Sequence, residues 1–269
     1  MNRRRSRRAL SVAAALIGVL TLSACGTDAG VLTARADPIG EAPDPGRDPD
    51  DPPTTNDPDL PESDLLDFGD DKEPREYYEY LIRSLEDVEA WFSVVYPEIY
   101  GEEYEPLQGN IYAGYPGRDD IPGCGTPRNT RYEELQLFAA FYCPAGDFMA
   151  YDDGEDGVLN ILATEYGPSI IGVVLAHEYG HAVQERAGVL AQDPPTILTE
   201  QQADCFSGAW AAHVNRGEVP GLEFNDADIR SGLIAMITVR DPIGVDQFEP
   251  GGHGSAFDRV GAFQVGFSE

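Results

Sequence analysis

Between Gly26 and Lys72 the chain repeatedly pairs aspartate with proline, as in Asp44-Pro45, Asp48-Pro49 and Asp57-Pro58. This stretch decides where a fold can form. Proline removes backbone donors and like charges repel each other into an extended chain, so no core is expected there. Residues 26–72 therefore read as a disordered tether, and the fold must be built from residues 73–269, a length that suits one domain. The tether carries much of the imbalance between 18 basic and 48 acidic residues, a formal net charge of -30. With so few cations the chain lacks the phosphate-neutralising surface of a nucleic-acid binder and the basic face that holds a protein on an anionic bilayer, so no nucleic-acid partner is expected.

Residues 1–25 read as an address. Arg3, Arg4, Arg5, Arg7 and Arg8 precede an apolar run from Ala9 to about Leu22, the pattern of a signal peptide and shorter than the roughly 20 apolar residues of a spanning helix. Leu22-Ser23-Ala24-Cys25 resembles the lipobox of bacterial lipoproteins. That resemblance implies export, acylation of Cys25 and an extracytoplasmic protein lipid-anchored to the bacterial cell membrane. Several acyl chains on one cysteine make such anchoring lasting. Ser6-Arg7-Arg8 also resembles part of a twin-arginine signal.

Beyond Glu73, the spacing of Tyr77, Leu81, Leu85, Val88 and Phe92 places them on one face of a helix. A proline- and glycine-rich region follows, with strands expected at Leu137 to Tyr142 and at Phe148 to Tyr151. In an exported protein the separation of Cys124 and Cys143 suits a disulfide, worth about 3 kcal/mol by loop closure. Cys205 reads as a small buried hydrophobe. Helices are expected from Gly167-Pro168 to about Ala187, from Asp193-Pro194 to near Gly217, from Asp226 to about Val239, and from Ser255 to Phe263.

The second of these five helices carries His177-Glu178-Tyr179-Gly180-His181. Two histidines four apart lie one turn above each other, so their imidazoles can share one metal ion. Zinc accepts nitrogen and oxygen ligands, and three protein ligands leave a fourth position for water. Glu178 stands beside that water as general base, taking its proton as it attacks a carbonyl. For the third ligand, the spacing HExxHxxGxxH is excluded by Gln184 and Ala187, and His213 falls on the wrong side of its helix. A carboxylate on the next helix remains. In Glu200-Gln201-Gln202-Ala203-Asp204 the two acids share a face, so Glu200 can ligate while Asp204 holds a histidine ring from behind.

On these residues the chain resembles the gluzincin metallopeptidases of thermolysin type. It resembles more closely the bacterial neutral zinc metallopeptidase family, through His177-Glu178-Tyr179-Gly180-His181 with Val183-Gln184, Glu200 to Cys205, His253-Gly254-Ser255 with Arg259 and Phe263, and Phe141-Tyr142-Cys143-Pro144 with an upstream cysteine at Cys124. It departs from that pattern at Ala182, Gln201 and Ala262, none of them a ligand. The resemblance implies an α+β zincin-like domain over residues 73–269, mostly helical with a small sheet. One zinc ion sits on the active-site helix, and an edge strand, expected near Phe148 to Tyr151, binds an extended peptide. His253, flanked by glycines, is a further catalytic candidate as a donor to the developing oxyanion. Its alternative is a loop histidine at the cap of the last helix.

The expected function is thus a membrane-tethered zinc metallopeptidase acting on peptide or protein substrates outside the cytoplasm. The rival is a catalytically silent metal-binding lipoprotein that uses the same fold to bind a protein partner.

Overall fold

The computed structural model describes residues 65–69, 75–136, 138–238, 240 and 252–268. The leader, Cys25 and most of the tether lie outside the described residues. Leu66–Asp67, inside the stretch read as a tether, nevertheless form a short strand, β1. The folded part therefore starts before Glu73. Two residues are too few to show a period, and what holds them is partnership: Arg118 donates to Asp67 Oδ1 at 2.6 Å and to the Asp67 carbonyl at 2.6 Å.

Helix α1, Tyr78–Tyr100, buries Leu81, Leu85, Val88 and Phe92 as the periodicity requires. It ends at Gly101, in the left-handed region at φ 73°, whose N–H caps the Pro97 carbonyl. Strands β2 (Ile111–Gly114), β3 (Ala140–Cys143) and β4 (Phe148–Asp152) follow, with the short helix α2 (Tyr132–Leu135) between β2 and β3. The sheet order is β1-β2-β4-β3, with β3 antiparallel to β4 and the other pairs parallel.

This order corrects the expectation that the segment near Phe148 to Tyr151 is an edge. β4 is paired on both sides, Met149 with Ile111 and Tyr142, and among the described residues β1 and β3 are the edges. All five β4 residues are buried, because both faces of the strand are covered. Met149 and Tyr151 enter the main core. Phe148 and Ala150 enter a smaller one with Ile121, Leu135 and Cys143. The Cys124–Cys143 disulfide forms, with Cα atoms 5.6 Å apart, and ties the loop after β2 to β3, whereas Cys205, expected to be only a small buried hydrophobe, is buried but also disulfide-bonded.

Helices α3 (Val158–Tyr166), α4 (Ser169–Arg186), α5 (Thr196–Asn215), α6 (Asp226–Thr238) and α7 (Ala256–Ser268) complete the described domain. Every residue of α4 from Ser169 to Gly180 is buried. A helix that is apolar on all sides needs neighbours on all sides, and α1, α3, α5, α6 and β3 supply them. The architecture is mixed α+β, with a small sheet beside a helical core. No helix among the described residues is long and apolar enough to cross a membrane.

Candidate metal centre

The site forms where α4 crosses α5, and a glycine permits the crossing. A Cβ on Gly180 would lie 3.0 Å from Ala203 Cα and 3.2 Å from its Cβ, so a side chain there would press the two helices slightly apart. The approach sets His177 and His181 on one helix against Glu200 and Asp204 on the other. Potential ligand atoms of His177, His181 and Glu200 all lie within 4.8 Å of one another. His177 Nε2 is 3.2 Å from Glu200 Oε2, and His181 Nε2 is 3.3 Å from Glu200 Oε1.

The partners on the far side of each ring decide where the protons sit. His177 Nδ1 is 2.8 Å from Asp204 Oδ1, which requires an N–H there. Arg259 Nη2 also lies 3.4 Å from this nitrogen, but the shorter contact to a carboxylate governs. His181 Nδ1 is 3.0 Å from Gln184 Oε1, and the orientation of that amide is fixed because Gln184 Nε2 donates to the Thr199 carbonyl at 2.7 Å. Both imidazoles thus carry a proton on Nδ1, and in their neutral form both turn an Nε2 lone pair toward a carboxylate.

Three acceptors then converge in a buried space without a donor. Glu200 Oε2 has no hydrogen-bond partner in the structure. Such an arrangement needs a positive charge in its middle, either a second proton on an imidazole or a metal cation. In the metal-free chain the proton answers. Burial opposes it, but Asp204 and Glu200 outweigh burial and push the His177 imidazole up to about 10. His181 also shifts upward, burial again being overcome by the Glu200 carboxylate. Glu200 moves well below the usual carboxylate range, because the two histidines overcome the cost of burying its charge. Two imidazole nitrogens and a carboxylate oxygen are a donor set that zinc accepts, each ring being braced from behind as metal-bound histidines are. The residues fit the ion.

The structure brings together the four residues expected from sequence, His177, His181, Glu200 and Asp204. Glu178 is buried on α4 between the two histidines, and its charge acts on both His181 and Arg259. His213 lies away from the trio, at the far end of α5, with Nδ1 2.9 Å from Glu218 Oε2. His253 is half-buried on the loop before α7 and is not part of the trio. Its neighbour Gly254 packs on Ile197 of α5, one turn before Glu200. Sequence reasoning gave no role to Gln184 or Arg259. Gln184 carried a usable signal, being three residues after His181 and so on the same face. Arg259, a lone cation in an otherwise apolar periodic helix, carried a weaker one.

No protein-family model matches the chain, and no solved structure matches it. Among curated proteins, the uncharacterized protein Rv2575 of Mycobacterium tuberculosis H37Rv is 36% identical over 151 residues, covering 47% of this chain and 50% of the relative. The uncharacterized protein YpfJ of Escherichia coli K12 is 28% identical over 172 residues, covering 54% of this chain and 53% of the relative. The chain thus spans about half the length of the curated relatives it matches.

Proposed function

We propose that this chain is a zinc metallopeptidase, tethered to the membrane through Cys25, that hydrolyses peptide bonds of extracytoplasmic proteins. The observation that carries the reading is the buried convergence of His177 Nε2, His181 Nε2 and the Glu200 carboxylate. These three side chains would hold a zinc ion, which when bound would supply Lewis acidity for polarising a carbonyl and acidifying water. Asp204 and Gln184 keep the Nδ1 protons in place, so that both Nε2 lone pairs stay directed at one point. Glu178, between the two ligands on the helix, accepts the proton of the attacking water and returns it to the leaving amine.

The substrate strand in this reading is β3, not β4. Among the described residues β3 pairs with β4 alone, so its outer side is the one to which an extended peptide would add, with α4 packed against the same strand. His253 donates to the developing oxyanion, a contact worth roughly 3 to 4 kcal/mol where such donors have been removed.

The test is Glu178→Gln in the full chain, read by zinc content and by hydrolysis of casein. Zinc should stay at one ion per chain while hydrolysis falls by about 10²- to 10⁴-fold. Equal hydrolysis by both forms defeats the mechanism. Zinc-loaded wild type that cleaves neither casein nor a diverse peptide panel favours the rival reading, a silent metal-binding lipoprotein that binds a protein partner.

A further inference from the structure

Arg259, on α7, is 2% exposed, and a cation so buried requires an acid partner. Its guanidinium forms a two-pronged pair with Asp204, Nε donating to Oδ2 at 2.9 Å and Nη2 to Oδ1 at 2.7 Å. Oδ1 is the same oxygen that receives the His177 Nδ1–H at 2.8 Å. Nη2 also lies 4.0 Å from Glu200 Oε2. A side chain 55 residues away in sequence thus holds the acid that holds one ligand, and stands close to another ligand.

The fold delivers this guanidinium by an unusually close helix contact. A Cβ on Gly208 of α5 would lie 2.1 Å from the Phe263 carbonyl oxygen, and one on Gly266 of α7 would lie 1.9 Å from the Cys205 carbonyl oxygen. Backbone therefore lies against backbone, at a spacing that a side chain on either glycine would force open. Gly208 stands one turn beyond Asp204, and Phe263 one turn beyond Arg259, so the seam lies next to the ion pair. The start of α7 is fixed as well. Ser255 Oγ accepts from the Asp258 N–H at 3.3 Å while the Asp258 carboxylate accepts from the Ser255 N–H at 3.1 Å, the reciprocal arrangement of a capping box.

We propose that α7 is a clamp on the metal centre and that Arg259 is its positioning residue, holding the Asp204 carboxylate in the orientation that braces His177, so that metal retention depends on the docking of α7. The inference rests on the reading of His177, His181 and Glu200 as ligands. Removing the guanidinium leaves Asp204 Oδ2 without this donor and frees the carboxylate to turn away from the ring. Lysine in its place restores the charge but not the planar fork.

The experiment measures the zinc dissociation constant of the full chain by competition with a chromophoric chelator, together with the visible spectrum of the cobalt-substituted protein. Wild type that binds neither ion defeats the ligand assignment itself, whatever Arg259 does. With wild type binding, Arg259→Gln should weaken zinc by about 10- to 100-fold, the usual cost of losing a partner behind a ligand, with an altered cobalt spectrum and unchanged helical circular dichroism. Arg259→Lys should recover part of the affinity. A folded Arg259→Gln with the affinity and cobalt spectrum of wild type overturns the clamp while leaving the ligands intact. Should Arg259→Gln not fold, Arg259→Lys carries the test, with a several-fold loss expected and wild-type affinity and spectrum contradicting the proposal.

Discussion

Among the described residues, the buried acids where β4 ends and those where α4 crosses α5 differ in their count of donors. Where β4 ends, Asp153 is fully buried, yet Tyr77 and Tyr78 both donate to its carboxylate, the latter at 2.6 Å, and Arg75 approaches to 3.9 Å. Its neighbour Asp152 accepts from Tyr132 Oη at 3.0 Å and from the N–H groups of Gly154 and Val158 at 3.2 and 3.0 Å. Those charges are satisfied, and they pin the starts of α1 and α3 to the sheet. At the crossing of α4 and α5, by contrast, Glu200 faces two imidazole nitrogens that, in the neutral rings, carry no proton, because Asp204 and Gln184 hold it on Nδ1. Burial of a carboxylate therefore does not mark a site. A deficit of donors does.

Paired substitutions break this comparison most sharply. Asp153→Ala strands two buried tyrosine hydroxyls and should cost about 3 to 5 kcal/mol in urea unfolding, with zinc stoichiometry unchanged in whatever folds. Glu200→Ala should do the reverse, abolishing stoichiometric zinc while the chain stays folded. Loss of zinc in both, or in neither, would erase the distinction. Tyr78→Phe sharpens it at smaller scale. The Asp153 carboxylate keeps Tyr77, so about 1.5 to 3 kcal/mol of stability should go, again without effect on the zinc dissociation constant.

The smallest effect is in pH. In the metal-free chain His177 rises from its ordinary 6.5 to about 10 in the folded state. Its contribution to stability is therefore fully present below 6.5 and is lost as pH climbs toward about 10. Melting temperature of the metal-free protein should fall across that window. Zinc has to displace the same proton, so its apparent affinity should rise by up to about tenfold per pH unit between 7 and 10. A pH-independent affinity would mean that His177 does not ligate.

Much of the centre was legible in the sequence because helical spacing is a strong constraint. His177 and His181 share a face by arithmetic, as do Glu200 and Asp204; apolar periodicity located the buried face of α1 though not its end at Tyr100, and cap-and-proline signals located α4 and α5 to within a few residues. What stayed hidden depends on contacts made at a distance. β1 is two residues long and exists through Arg118. The interior place of β4 follows from a parallel pairing with β2, which no local pattern announces, and burial on both faces removed the alternation that marks an edge. Arg259 reaches Asp204 through a glycine seam whose two halves lie on different helices. What matched expectation thus rests on helical spacing within α4 and within α5, and what the sequence left without a role are contacts such as Arg259 to Asp204 that spacing does not encode.

The central claim is most directly tested by metal analysis of the purified full chain after equilibration with zinc and removal of excess, joined to X-ray absorption at the zinc edge. One zinc per chain, bound by two imidazole nitrogens and one carboxylate oxygen with a further light ligand, is the predicted result. Absence of a stoichiometric ion, or a coordination shell without two histidines, would contradict it.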